Sequence, residues 1–203
     1  MDFKTEQEKF WAGEFGCDYI ERNNSEQTLL CRVAVWARML RSANGVTSAR
    51  ELGCNIGLNL MAINRLCPDI ALSAVEINEK AAKQASSLNI AKIKHDTILK
   101  PIKDEVVDLT FTCGVLIHVN PDNLIDVYNN LVQGSKRYVL VYEYYNPTPV
   151  SVTYRGHESK LFKRDFAGEI MDQFGLKLVD YGFFYRRDNW TPQDDATWFL
   201  LEK

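Results

Sequence analysis

The chain has 203 residues, 46% of them hydrophobic and 25% charged, which is enough apolar material for one domain with a good core and the balance of an ordinary soluble globular protein. A net charge of −3, a pI near 5.7 and no Lys/Arg block argue against a nucleic-acid partner, and apolar runs such as Tyr138–Tyr142 are far too short to span a bilayer. Five scattered cysteines without a C-x-x-C pair, and histidines only at 95, 118 and 157, predict free thiols and no metal site.

The N-terminus is polar, with no signal-peptide core, so a cytoplasmic location is expected. Residues 10–23 are aromatic and charged, and Gly13 and Gly16 argue against one regular helix there. Asn24 is placed to cap the next helix, with Gln27 reaching back. Leu29, Val33, Trp36 and Leu40 give that helix one buried face, and Asn44-Gly45 ends it.

Strands and helices then alternate. A strand at 49–52 carries Glu51 into the turn Gly53-Cys54-Asn55-Ile56-Gly57, and a helix with Leu60, Ile63 and Leu66 follows. A second strand at 71–75 ends in Glu76, nineteen residues past Gly57. A helix at 78–88, an edge-like strand at 90–94 leading to Asp96, a strand at 106–113, a helix at 123–131 and a strand at 138–142 come next. This alternation predicts a doubly wound parallel sheet. After a helix at 166–174, strands at 178–185 and 196–201 are joined by a polar loop of about ten residues, too short for a helical crossover, so they should pair antiparallel. No repeat or linker divides the chain, which reads as a single domain: an N-terminal lid and helix (1–45) on a Rossmann-like core (46–203).

Glycines at a strand's carboxyl end let the backbone approach a ligand, and Glu76 at the next strand tip can accept hydrogen bonds from two ribose hydroxyls. A dinucleotide fingerprint needs glycines at 53, 55 and 58, and this chain has Asn55 and Leu58 at two of them. Glu51-x-Gly53-x-Asn55-x-Gly57 resembles motif I of the class I S-adenosylmethionine-dependent methyltransferases, with Asn in place of the middle glycine. Phe10-Trp11-x-Gly13-x-Phe15-Gly16-x-x-Tyr19-x-x-Arg22-Asn23, taken with Gly114-Val-Leu-Ile-His118-Val-Asn-Pro, is similar to the methyltransferase group associated with pseudaminic acid biosynthesis.

The resemblance implies the class I fold: a mostly parallel seven-stranded sheet with a C-terminal antiparallel hairpin. It implies S-adenosylmethionine as cofactor, held by Tyr19, Arg22, Glu51, Gly53, Cys54, Asn55, Gly57, Glu76, Ile77, Asp96, Cys113 and Gly114. Asp96 would contact the adenine amine, Arg22 the cofactor carboxylate, and the 1–24 segment would form a lid hinged at Gly13 and Gly16. The expected acceptor is a small, sugar-like molecule. His118, Tyr145 and Glu143 are candidate bases, and the long 143–162 segment offers Tyr144, Tyr154, Arg155 and His157 to the substrate. A monomer or homodimer without nucleic-acid or membrane partners is expected. The alternative reading is a cofactor-binding protein without turnover.

Overall fold

The chain is described by a computed structural model covering residues 2–22 and 25–203, with only the backbone of Arg22. Two short helices, α1 (Glu6–Ala12) and α2 (Glu14–Arg22), precede the long α3 (Glu26–Met39). The core then runs β1 (Ser48–Leu52), α4 (Leu58–Leu66), β2 (Ala71–Glu76), α5 (Glu79–Ser87), β3 (Ala91–His95), β4 (Val107–Cys113), α6 (Leu124–Gly134) and β5 (Ser135–Glu143). A hairpin, β6 (Val150–Tyr154) and β7 (His157–Lys163), is followed by α7 (Phe166–Phe174), β8 (Lys177–Phe184) and β9 (Ala196–Glu202).

The main sheet has seven strands in the order β3-β2-β1-β4-β5-β9-β8. β1 pairs in parallel with both β2 and β4, so the strand order reverses there and a crevice opens outside their carboxyl ends. β9 is antiparallel to β5 and to β8, as the short connecting loop required. Tyr138-Val-Leu-Val-Tyr142 is apolar throughout because β5 is covered on both faces. Tyr138, Leu140 and Tyr142 pack with Trp36, Leu60 and Ile63 on one side, and Val139 and Val141 pack with Val127, Leu131 and Ile170 on the other.

The predicted elements are all present, with ends shifted by a few residues. The expected cap at Asn24 falls outside the described residues. Ser25 is the N-cap of α3, its Oγ accepting from the Thr28 N–H at 3.1 Å. The 143–162 segment is not one long loop: most of it forms the β6–β7 hairpin, whose register runs Val150↔Lys163 to Tyr154↔His157.

Gly13 breaks the N-terminal region into α1 and α2, and a Cβ there would lie 2.9 Å from the Lys9 carbonyl. Gly16 lies inside α2, and a Cβ on it would strike the Trp11 carbonyl. Gly16 therefore serves close packing rather than the hinge expected of it. α1 begins with a capping box: Glu8 N–H donates to Thr5 Oγ1, and Thr5 N–H donates to Glu8 Oε2, each at 3.1 Å.

Candidate functional site

A cavity of about 170 Å³ lies at the carboxyl ends of β1, β2 and β4, roofed by α1 and α2. On its β1 side, Gly53 has φ +82° and Gly57 has φ +84°, in the left-handed region. A Cβ at Gly53 would meet the Val115 side chain at 2.7 Å. Asn55 is also left-handed (φ 48°), a conformation Asn tolerates better than most residues, which explains how it replaces a glycine in this turn.

Glu76 is buried at the tip of β2 and lines the cavity. Its Oε2 accepts from the Asn55 N–H (2.7 Å) and its Oε1 from the Asn78 N–H (2.8 Å), tying the glycine turn to the start of α5. Burial raises its pKa, and those two hydrogen bonds oppose the rise.

Of the residues expected to hold a cofactor, Tyr19, Gly53, Cys54, Asn55, Glu76, Ile77, Cys113 and Gly114 line the cavity. Gly57 lies behind them as the left-handed N-cap of α4. Glu51 is fully buried beneath the wall: Asn59 Nδ2 donates to its Oε1 at 2.6 Å, and Asn59 Oδ1 accepts from Trp36 Nε1 at 3.0 Å. Burial pushes the Glu51 pKa up to about 8. The Arg22 side chain lies outside the described atoms. Among the described residues, Arg32 brings a guanidinium to the cavity wall, where its Nη1 donates to Cys113 Sγ at 3.3 Å.

Asp96 is not on the wall. It accepts from the Thr97 N–H (2.9 Å) and pairs with Lys94 (3.6 Å) and Lys100 (3.5 Å), so Thr97, Ile98 and Leu99 take its place at the β3 end.

The three candidate bases part company. His118 lines the cavity, and its Nδ1 lies 2.6 Å from the Lys160 carbonyl. A carbonyl only accepts, so Nδ1 carries the proton and Nε2 is the basic nitrogen. Burial lowers the His118 pKa to about 4, which keeps the ring neutral at pH 7.

Glu143 is instead a structural clasp. Its carboxylate accepts from the N–H groups of Val115 (3.0 Å), Leu116 (3.1 Å) and Ile117 (3.4 Å), which fixes the loop after β4 and leaves it no route to a substrate proton. Tyr145 is exposed, its ring 6.1 Å from that of Phe199 and away from the cavity.

The expected substrate residues divide too. Tyr154 packs against His118, with ring centroids 4.9 Å apart, at the cavity's edge. Arg155 lies at the exposed hairpin turn over Tyr154. His157 meets Phe10 of α1 (4.9 Å) and Phe15 of α2 (5.5 Å), and Tyr144 Oη donates to Asp194 at 2.7 Å, so neither side chain is turned to the cavity.

Gln7, Glu8, Asn78 and Thr97 also line the cavity, with no site motif in the sequence to mark them. Glu8 accepts from Thr97 Oγ1, and Asn78 Nδ2 donates to the Trp11 carbonyl at 3.1 Å; both bonds fasten α1 to the loops after β3 and β2. Thr5-x-x-Glu8 is a legible capping box and could have announced α1.

The fold that carries this cavity has parallels among solved structures. A magnesium protoporphyrin IX methyltransferase from Synechocystis PCC 6803, solved with bound S-adenosylhomocysteine, superposes with a TM-score of 0.71 at 13% identity, covering 97% of each chain. A SAM-dependent methyltransferase from Archaeoglobus fulgidus gives 0.70 at 15% identity, covering 94% of this chain and all of that one. The N-methyltransferase NodS from Bradyrhizobium japonicum WM9 gives 0.64 at 15% identity, covering 92% and 97%. The fold is that of the class I methyltransferases. No family model matches the sequence, and no curated protein matches it either. At such identities the likeness establishes the methyltransferase fold and leaves the chemistry to be argued from the residues.

Proposed function

We propose that the chain catalyses S-adenosylmethionine-dependent methyl transfer to an oxygen or nitrogen of a small polar acceptor. The observation that carries this is Glu76. An ionised carboxylate has roughly four lone-pair positions. Two are used by Asn55 and Asn78, and the cavity-facing remainder suits a pair of ribose hydroxyls beside a turn where backbone can approach closely.

The cofactor would supply an activated methyl group on a sulfonium. The residues do the rest. Gly53, Cys113 and Gly114 form the floor for the amino-acid part, and Arg32 offers its carboxylate a cation, the role expected of Arg22. Trp11, His118 and Tyr154 exclude water from the edge of the cavity. With a hydroxyl acceptor, the bound cofactor would give up its methyl group and retain the carbon–sulfur electron pair as a neutral thioether, and His118 Nε2 would take the hydroxyl proton. An amine needs only to be held in its neutral form.

A sugar-like acceptor, as in a nonulosonic-acid setting, is the finer reading. The Tyr154 and Arg155 hairpin beside the cavity supports it by offering a hydroxyl and a cation. Calorimetry with S-adenosylhomocysteine, followed by product detection with nonulosonic-acid and amino-sugar acceptors, tests both levels. No binding by the wild type would end the cofactor reading. Binding without methylation of any acceptor would leave the non-catalytic alternative.

A further inference from the structure

Gln7 sits in α1 and lines the cavity, and only 6% of its surface is exposed. Its Nε2 donates to the Ser159 carbonyl of β7 at 2.9 Å, which fixes the orientation of the amide. Its Oε1 is thereby turned away from that carbonyl, and it is buried without a hydrogen-bond partner among the described residues. Trp11, one turn later on the same helix face, also lines the cavity, and its Nε1–H is likewise buried without a partner. Buried polar groups are rarely left unpaired, and two on one helix face against one cavity form a pattern that a ligand completes.

The place of Gln7 indicates which part of the ligand it meets. With ribose at Glu76 on the β2 tip, the base of a nucleoside extends towards the β3 end, where Ile77, Thr97, Ile98 and Leu99 form the wall. Glu8, the next residue after Gln7, is bonded to Thr97 Oγ1, so α1 lies against that end. Asp96, the acidic residue nearest in sequence, is held by Lys94 and Lys100 off the wall.

We infer that the lid reads the base: Gln7 Oε1 accepts a hydrogen bond from the exocyclic amine of adenine, and Asp96 does not. This deepens the cofactor reading above and rests on it. A lid that carries the base reader closes fully only on a 6-aminopurine. A 6-oxopurine presents a second acceptor to Oε1, and Nε2 cannot turn to meet it without giving up Ser159.

Calorimetry on the full chain decides the matter, with S-adenosylhomocysteine and its deaminated counterpart S-inosylhomocysteine as probes. The wild type should prefer the adenosyl compound by about tenfold or more, the scale of one hydrogen bond and its mispairing. Gln7→Leu should remove most of that preference by weakening the adenosyl compound alone. Asp96→Asn should retain it. Trp11→Phe, which removes the N–H donor together with the fused ring, should weaken both compounds alike and so retain the preference; Gln7→Met, closer in shape to Gln, takes the place of Gln7→Leu if that variant folds poorly. A preference that survives in folded Gln7→Leu, or collapses in Asp96→Asn, overturns the inference while sparing the cofactor reading. Failure of the wild type to bind S-adenosylhomocysteine overturns both.

Discussion

The floor and the roof of the cavity are built on different principles. In the floor, Glu76 and Glu143 accept hydrogen bonds from backbone N–H groups of the three loops that follow β1, β2 and β4. Those loops lie between strands packed on both faces. In the roof, ring contacts are prominent: Phe10 on Phe15 (4.1 Å), Trp11 on His118 (4.5 Å), and Phe15 on Tyr154 (5.8 Å). Its polar ties among the described residues are side-chain bonds, among them Glu8 to Thr97, Gln7 to Ser159 and Asn78 to Trp11, and exposed ion pairs such as Lys80 to Glu21. Backbone-anchored loops are pre-organised and costly to disturb. A roof of ring contacts and side-chain bonds can open locally while the sheet stays intact. The contrast suits the proposed function, in which the cavity admits a nucleoside and shuts water out.

The harshest break is removal of residues 1–22. The sheet should remain folded by circular dichroism, while cofactor binding weakens severely and turnover disappears. A truncated chain that unfolds would show the roof to be part of the core. One that binds and turns over normally would show it to be dispensable.

Glu143→Ala tests the floor, since it strands three N–H groups. It should cost about 3 kcal/mol in denaturant unfolding, the upper range for hydrogen bonds to a charged group. Glu143→Gln keeps an acceptor and should cost less, with turnover retained. Full stability with abolished turnover in that variant would restore Glu143 as a base.

Glu76→Ala should weaken S-adenosylhomocysteine by roughly 1.5–3 kcal/mol in calorimetry and also lower the melting temperature, because Asn55 and Asn78 lose their acceptor. Glu76→Gln should fall between that variant and the wild type in both measurements.

The gentlest probe is pH. The folded-state pKa of His118, about 4, lies below its usual value of 6.5, so the unfolded chain binds more protons between the two. The histidine's contribution is complete above pH 6.5 and is lost as pH falls towards 4, up to about 3 kcal/mol from a shift of this size. The stability difference between the wild type and His118→Phe should therefore be constant above pH 6.5 and shift against the wild type as pH falls towards 4. Parallel curves would show that the ring is not held neutral by burial.

Much of the floor was legible because it rests on local rules. Strand–turn–helix punctuation located Gly53, Gly57 and Glu76, and the apolar run at 138–142 marked a central strand. The roof was much less legible because it depends on contacts between distant segments. Nothing near residue 7 announces Ser159, and nothing near residue 118 announces the Lys160 carbonyl. Glu143 and Asp96 misled for a related reason. Their positions at strand ends suit a ligand site, but neighbouring N–H groups and lysines already engage them. The hairpin within 143–162 was hidden by its prolines and its mixed, mostly exposed residues, which carry no clean alternation.

Asn78 has a consequence of its own. Its Oδ1 accepts the Ala81 N–H and starts α5, while its Nδ2 donates to the carbonyl of Trp11 at the end of α1. One amide thus serves as both the first peg of one helix and the last peg of another. If Glu76 and the Asn78 backbone shift by a few tenths of an ångström when a ribose arrives, that displacement is delivered directly to the tail of α1. The side chain links strand tip and cover, and shortening it by one functional group, as in Asn78→Ala, would remove that link.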